Sequence, residues 1–284
     1  LPICLMDPGF MATVPFVLRN VVGGLNSTPL LAIPLFILGG IIMAQSGIAK
    51  RLFDVFAYLI GDKTGGMPCA SIITCLFYGA ISGSAPATTA AVGTMTIPVL
   101  DDMGYDHAFN ASTVAIAGGL GVIIPPSVPF IVYSMASGAS VGDMFLAGVI
   151  PGILIALCLM IYAVYYCKTK GEDKERIRNR VAVLREKGFL GVLKSSFWAL
   201  LSPIIILGGI YGGIVTPTEA ALIGVFYAAL VGLFIYRTLR PKDLILLCVE
   251  AVKTTAPMLL VIGAASAFSR VLSLMQASEV VFSQ

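Results

Sequence analysis

Ile81-Ser82-Gly83-Ser84-Ala85-Pro86-Ala87-Thr88-Thr89 separates two short apolar segments, residues 67–81 and 87–100, and its reading decides the fold. At 1.5 Å per residue each segment covers roughly 20–23 Å, against a hydrocarbon core of about 30 Å. Two complete crossings would give the same sidedness, so parity does not choose between them; length does. The spacing predicts a helical hairpin that enters a membrane, turns inside it and leaves at Asp101-Asp102.

Irregular backbone at such depth costs several kcal/mol for each unpaired N–H or C=O, so protein, an ion or a wet cavity must cover it. Ser and Thr hydroxyls with freed carbonyls are hard oxygen donors suited to an alkali cation. A helix that starts near Pro86 points partial positive charge ahead of it, which favours an anion. The bland alternative is a Ser/Gly surface for helix packing with back-bonded hydroxyls. From these residues alone both readings stay open.

The composition of the whole chain demands a bilayer. Of 284 residues, 58% are hydrophobic and 12% charged, whereas a soluble domain carries about 25% charged residues. Too little charge is present to coat that much apolar surface. A net charge of +3 gives no footprint for nucleic acid. Thirty Gly and sixteen Pro are many for plain spans, and broken or re-entrant helices concentrate both. The six cysteines, Cys4, Cys69, Cys75, Cys158, Cys167 and Cys248, lack CxxC spacing and read as small buried apolar residues rather than metal ligands or disulfides.

Half of the Lys and Arg fall between Lys168 and Lys194. That stretch reads as a solvated loop, placed in the cytoplasm by the positive-inside bias. Walking outward from it, residues 196–215 and 220–236 read as two spans that return to a second basic cluster at Arg237, Arg240 and Lys242. Residues 144–167 form the clearest span, opened by a capping-box pattern at Ser140 and Asp143. Residues 29–47 form another, ending at Lys50-Arg51.

A second interruption follows the hairpin. Residues 109–117 are helical in pattern, and Gly118-Gly119-Leu120-Gly121-Val122-Ile123-Ile124-Pro125-Pro126-Ser127 breaks them. Two prolines remove donors and disfavour the α region before each. The alternative is an ordinary helix kinked by proline. A hairpin followed by an unwound helix suits a secondary transporter, in which discontinuous helices meet near the midplane.

Other strings have local explanations. Thr216, Pro217 and Glu219 read as N-cap, N1 and N3 of a capping box. His107, the single histidine, reads as part of a loop at the hairpin exit rather than a proton relay. Glu250 and Lys253 can pair on a helix, and residues 241–253 read as an amphipathic interfacial arm ahead of a span at 254–268. No HExxH, nucleophile elbow or Walker A lysine motif is present, so the chain does not read as an enzyme.

ISGSAPATTAAVG at 81–93, GVIIPPS at 121–127, FLAGVIPG at 145–152, GGIVTPTEAA at 212–221 and LLAIPLFILGGIIM at 30–43 carry a resemblance. Together they resemble the large membrane subunit (DctM-like) of TRAP transporters, tripartite ATP-independent periplasmic transporters of organic acids. The resemblance implies a sodium-driven elevator with two inverted repeats, each giving a hairpin and a broken helix to a mobile domain. It implies a small membrane subunit and a soluble periplasmic substrate-binding protein as partners. Carried onto this chain, it places sodium at Ser82, Gly83 and Ser84, with Gly118, Gly121 and Pro125 on the broken helix opposite. The expected second hairpin and its Thr-Pro-Pro break are not found between Ala265 and Gln284, and a segment is expected ahead of Leu1. One half of the site is therefore expected here, and no second sodium site is assigned.

The expectation is an all-α, multi-span membrane transporter with a re-entrant hairpin and a broken helix, elevator-type and partial. Residues 1–66 would hold scaffold spans and 67–139 the first transport repeat. Residues 140–194 would hold a span and the basic loop, and 195–284 further scaffold spans. The expected function is sodium-coupled import of an organic anion, a carboxylate, across a bacterial inner membrane. Ser84, Pro86, Ala87, Thr88 and Thr89 would face the substrate. The alternative is an ion channel or a non-transporting scaffold.

Overall fold

A computed structural model describes residues 13–186 and 188–275, and the described residues form helices and no strands. Cys4 lies outside them. Five helical stretches are long and apolar enough to cross a membrane: Thr28–Gln45, Val141–Lys170, Gly188–Tyr211, Pro217–Ile235 and Pro241–Leu274.

The chain enters through α1 (Val14–Leu25), capped by Thr13, then a 3-10 turn (Thr28–Leu31) and α2 (Ala32–Gln45). Helix α3 (Ile48–Ile60) leads to the hairpin, α4 (Gly66–Ser82) and α5 (Ala85–Asp102). Helix α6 (His107–Gly118) tightens to a 3-10 turn (Gly119–Val122), and α7 (Val128–Ser137) resumes after the prolines. Then come α8 (Val141–Lys170), α9 (Lys174–Glu186), α10 (Gly188–Tyr211), α11 (Pro217–Leu230) and α12 (Pro241–Leu274).

Small residues set the packing. Gly39 lies against Gly224 and Val225, which brings α2 onto α11. On α8 the buried positions are Phe145, Gly148, Gly152, Ala156, Ala163 and Cys167, while Ile150, Ile161 and Tyr165 point outward. Mostly small inside and large outside is the pattern of a helix whose outer solvent is lipid. Gly148 receives the Ile123 carbonyl and the Phe130 ring, and Gly152 receives the Ile124 side chain. Thus α8 is notched to hold the broken segment.

Several expectations change. The basic stretch is not merely a solvated loop: it forms α9, which buries Ile177 and Val181 against Phe53, Ala57, Met67, Leu100 and Met103. Its two buried residues, four apart, lie on one face of the helix. The arm at 241–253 and the span at 254–268 are one continuous helix, α12, which carries Pro257 inside it. Ser140 stands at the N-cap of α8 with no side-chain capping bond, so the capping box expected with Asp143 does not form. The box at Thr216 and Glu219 does form. Cys69, Cys75 and Cys167 are buried as expected, but Cys158 and Cys248 face outward.

The hairpin tip meets α2 partway along its length. Ser82 meets Gly40, twelve residues beyond Thr28 on the α2 span, so roughly 18–20 Å of helix continues past the tip. Helix α7 starts at the tip and runs ten residues, about 15 Å, toward the opposite face. There Thr28, Ser140 and Thr216 line one shallow cavity. The hairpin helices themselves, 17 and 18 residues or roughly 25–27 Å, are longer than the 20–23 Å expected of the two apolar segments, because the helices extend past those segments at both ends.

Candidate functional site

The turn is built by backbone conformation. Gly83 ends α4 at φ +63, with its N–H donating to Gly79 O at 3.0 Å. A Cβ there would be strained by φ and would come within 2.8 Å of Pro126 O. The next residue, Ser84, is extended (φ −140, ψ 124), and its Oγ accepts from Ala87 N at 3.5 Å to cap α5. Pro86 then sits at the second position of the helix, where its missing N–H costs nothing.

The broken helix starts α7 in the same way. Ser127 is extended (φ −128, ψ 122), its Oγ accepts from Phe130 N at 3.4 Å, and Pro129 follows at the second position. Ser-Ala-Pro and Ser-Val-Pro are one cap written twice. Ser127 Oγ also donates to Val122 O at 2.6 Å, covering a carbonyl that the break exposes. Val128 N–H donates to Gly83 O at 3.4 Å, joining the two starts. Both helix starts line a cavity of about 300 Å³, with Gly83, Ser84, Pro86, Ala87, Val128 and Pro129 in its wall. Each start carries roughly half a positive charge, which favours an anion, while the acidic side chain of Glu250 in the same wall works against one.

Next to this cavity, oxygens gather inside the hairpin. Ser82 and Thr88 are fully buried, and their hydroxyls are 2.8 Å apart. Thr88 Oγ1 donates to Ser84 O at 2.8 Å, and Ser82 Oγ lies 3.4 Å from the same carbonyl. These donors are neutral and hard, and much of their hydrogen bonding is with one another. A buried hydroxyl without partners costs about 1–3 kcal/mol, so this mutual pairing is what permits its depth.

The expected site residues therefore divide. Ser84, Pro86 and Ala87 line the cavity, while Thr88 turns inward to Ser82 and Thr89 packs against Gly118. Gly121 packs directly on Thr88 and on Ser84 O, and a Cβ on Gly79 would come within 2.7 Å of Gly121 Cα. It is Pro126, bonded to Pro125 by a cis peptide, whose carbonyl lies against Gly83. Missed from sequence were Ser127, Val128 and Pro129; the repeated Ser-x-Pro was the available signal. Glu250 was also missed. It does not pair with Lys253, and with Thr254 it lines the tip cavity from α12.

The feet of the hairpin carry charge instead. Asp101 accepts from Asn110 Nδ2 at 2.7 Å and bonds His107 Nδ1 at 2.7 Å. The Asn110 amide first and His107 second hold the Asp101 carboxyl below its ordinary value. Glu172 accepts from Gly65 N–H at 2.8 Å and from Tyr105 O–H at 2.7 Å. Burial, and then the Glu172 carboxylate, push the Tyr105 phenol far above its ordinary range.

Comparison with known proteins agrees with this architecture. The family model described as "Tripartite ATP-independent periplasmic transporter, DctM component" matches residues 5–283. The isethionate TRAP transporter permease protein DctMQ of Oleidesulfovibrio alaskensis is 41% identical over 261 residues, 92% of this chain and 40% of that protein. The C4-dicarboxylate TRAP transporter large permease protein DctM of Pseudomonas aeruginosa is 42% identical over 244 residues, 86% of this chain and 56% of that protein. The ectoine TRAP transporter large permease protein TeaC of Halomonas elongata is 32% identical over 276 residues, 96% of this chain and 62% of that protein. The chain thus spans about half the length of these relatives. It belongs to the DctM component family of tripartite ATP-independent periplasmic transporters, a family of membrane transport proteins rather than of enzymes.

Proposed function

We propose that this chain forms the hairpin-bearing half of a sodium-coupled permease that imports an organic anion, a carboxylate, across a bacterial inner membrane. The observation that carries the reading is the convergence of two Ser-x-Pro helix starts on one cavity, beside a buried cluster of neutral oxygens. The relatives' names cite isethionate, C4-dicarboxylates and ectoine. Each of these bears an acidic group that the two positive helix ends could address. Ser84, Ala87 and Val128 would face that group.

The residues at the tip fit sodium in donor chemistry. Ser82 Oγ, Thr88 Oγ1 and Ser84 O would hold it, and Gly121 gives the broken helix its close approach to them. Bound there, the ion would add positive charge beside the substrate cavity and couple transport to the sodium gradient. Gly118 and Pro125 shape the opposing wall.

The hairpin packs with α6 and α8, and α7 packs on α8, while α1, α2, α10, α11 and α12 pack among themselves; α3 touches both groups, and the hairpin also touches α2 and α10. This grouping supports an elevator in which the hairpin-bearing group shifts against the rest. A small membrane subunit would complete the scaffold, and a periplasmic binding protein would deliver substrate. Uptake by the complete transporter in proteoliposomes tests the reading. Saturable uptake that needs a sodium gradient and a binding protein supports it, and gradient-independent ion conductance would replace it with a channel.

A further inference from the structure

One side chain holds both ends of the hairpin. Glu172 lies in the short link between α8 and α9, and a single oxygen, Oε1, takes both Gly65 N–H and Tyr105 O–H. Gly65 immediately precedes α4, and Tyr105 follows α5. In sequence they are 107 and 67 residues from Glu172.

The feet are shaped to accept this link. Gly65 has φ +71, and a Cβ there would come within 2.8 Å of Val164 Cα on α8. Gly104, at φ +88, lies against Asp173. The Tyr105 main-chain N–H donates to Leu100 O at 3.2 Å, so the phenol is carried by the turn that closes α5. Hydrogen bonds to an ionised carboxylate are about twice as strong as neutral ones. The neighbouring Arg185–Asp62 pair, with side chains 48% and 43% exposed, is screened by water and adds little.

We propose that Glu172 is a positioning residue that clamps both feet of the hairpin to the end of α8, so that the hairpin, the broken helix and α8 shift as one body. This rests on the elevator reading above. Glu172 touches neither the tip cavity nor the oxygen cluster, so its effect is on motion and not on recognition.

Hydrogen–deuterium exchange on the membrane-reconstituted protein tests the clamp without any transport assay. Glu172→Ala should speed exchange in peptides covering residues 62–67 and 103–108 by about tenfold, leaving residues 82–89 within about twofold. Glu172→Gln keeps an acceptor oxygen and should restore protection at both feet. Tyr105→Phe should loosen only the second foot. Unchanged exchange at both feet in Glu172→Ala overturns the clamp.

Uptake by the complete transporter tests the coupling. Glu172→Ala should lower the maximal rate about tenfold at unchanged half-saturation for substrate and sodium, with Glu172→Gln recovering most of it. Loosened feet with an unchanged maximal rate overturn the one-body role. Loss of sodium dependence in the parent protein would instead show that the underlying transport reading had failed.

Discussion

The two ends of the hairpin are held by opposite chemistry. At the tip, Ser82, Ser84 and Thr88 join through neutral hydroxyls and a carbonyl. At the feet, the carboxyl groups of Asp101 and Glu172 do the same work, with His107, Asn110, Gly65 and Tyr105 as their partners. Water decides between them. A carboxylate buried beside Ser82 and Thr88 would have to leave its hydration behind, a cost of several kcal/mol, whereas at the feet it keeps part of it. Glu250, in the wall of the neighbouring cavity, stays exposed. The tip is therefore left with neutral oxygens that a cation could use, and the feet with bonds that pH and salt can reach.

The largest effect should come from filling the tip. Gly121→Val drives a branched side chain into Thr88 and the Ser84 carbonyl, at an expected cost of about 3 kcal/mol or more. A thermal melt followed by helical circular dichroism should show it, and Gly119→Val, where a Cβ meets no neighbour, should melt close to the parent. If both melt alike, close packing of the break on the tip is not what holds it.

Next comes the oxygen cluster. Ser82→Ala and Thr88→Val should each raise the sodium concentration for half-maximal uptake by about tenfold, while stability falls by about 1 kcal/mol. The loss of one shared bond affects both residues, so the double variant should show less than the sum of the two. An unchanged sodium dependence in both single variants would remove the cluster from the proposed ion site.

At the feet the effect is smaller and depends on pH. Asp101 titrates below its ordinary 3.8 in the folded protein, so its contribution is complete above that value and is lost as pH falls through the lowered one. Asp101→Asn should flatten the acid-side fall in melting temperature below about pH 4 and leave the tip's sodium response unchanged. The smallest effect belongs to Arg185→Ala at the exposed pair with Asp62. It should cost about 0–1 kcal/mol and vanish in high salt.

How much of this was legible depends on where the determining residues sit. The hairpin could be read because its Ser-Gly-Ser-Ala-Pro turn is local, although its helices run longer than the apolar segments suggest. The capping box at Thr216 and Glu219 is local too, and it formed as expected. The α9 docking face was present as Ile177 and Val181, but in a strongly basic stretch charge outweighed two apolar residues. Glu172 gave no signal at all, since its partners lie 107 and 67 residues away. Glu250 misled because helical spacing offered it Lys253, whereas the fold turns it toward the tip cavity. The second Ser-x-Pro start is local too, but the two prolines before it point to disruption rather than to a new cap.

The notches on α8 have a consequence for anyone who would move this architecture elsewhere. Ile123 and Ile124 find their places against Gly148 and Gly152, on a helix that begins well after the break has ended. The instruction for the unwound segment is thus stored partly at a distance. Grafting GVIIPPS alone into another helical protein would transplant its prolines without their mould, and the graft should behave as a simple kink. Grafting it together with FLAGVIPG would carry both halves of the fit, and that pair is the smallest unit of this site that could be borrowed intact.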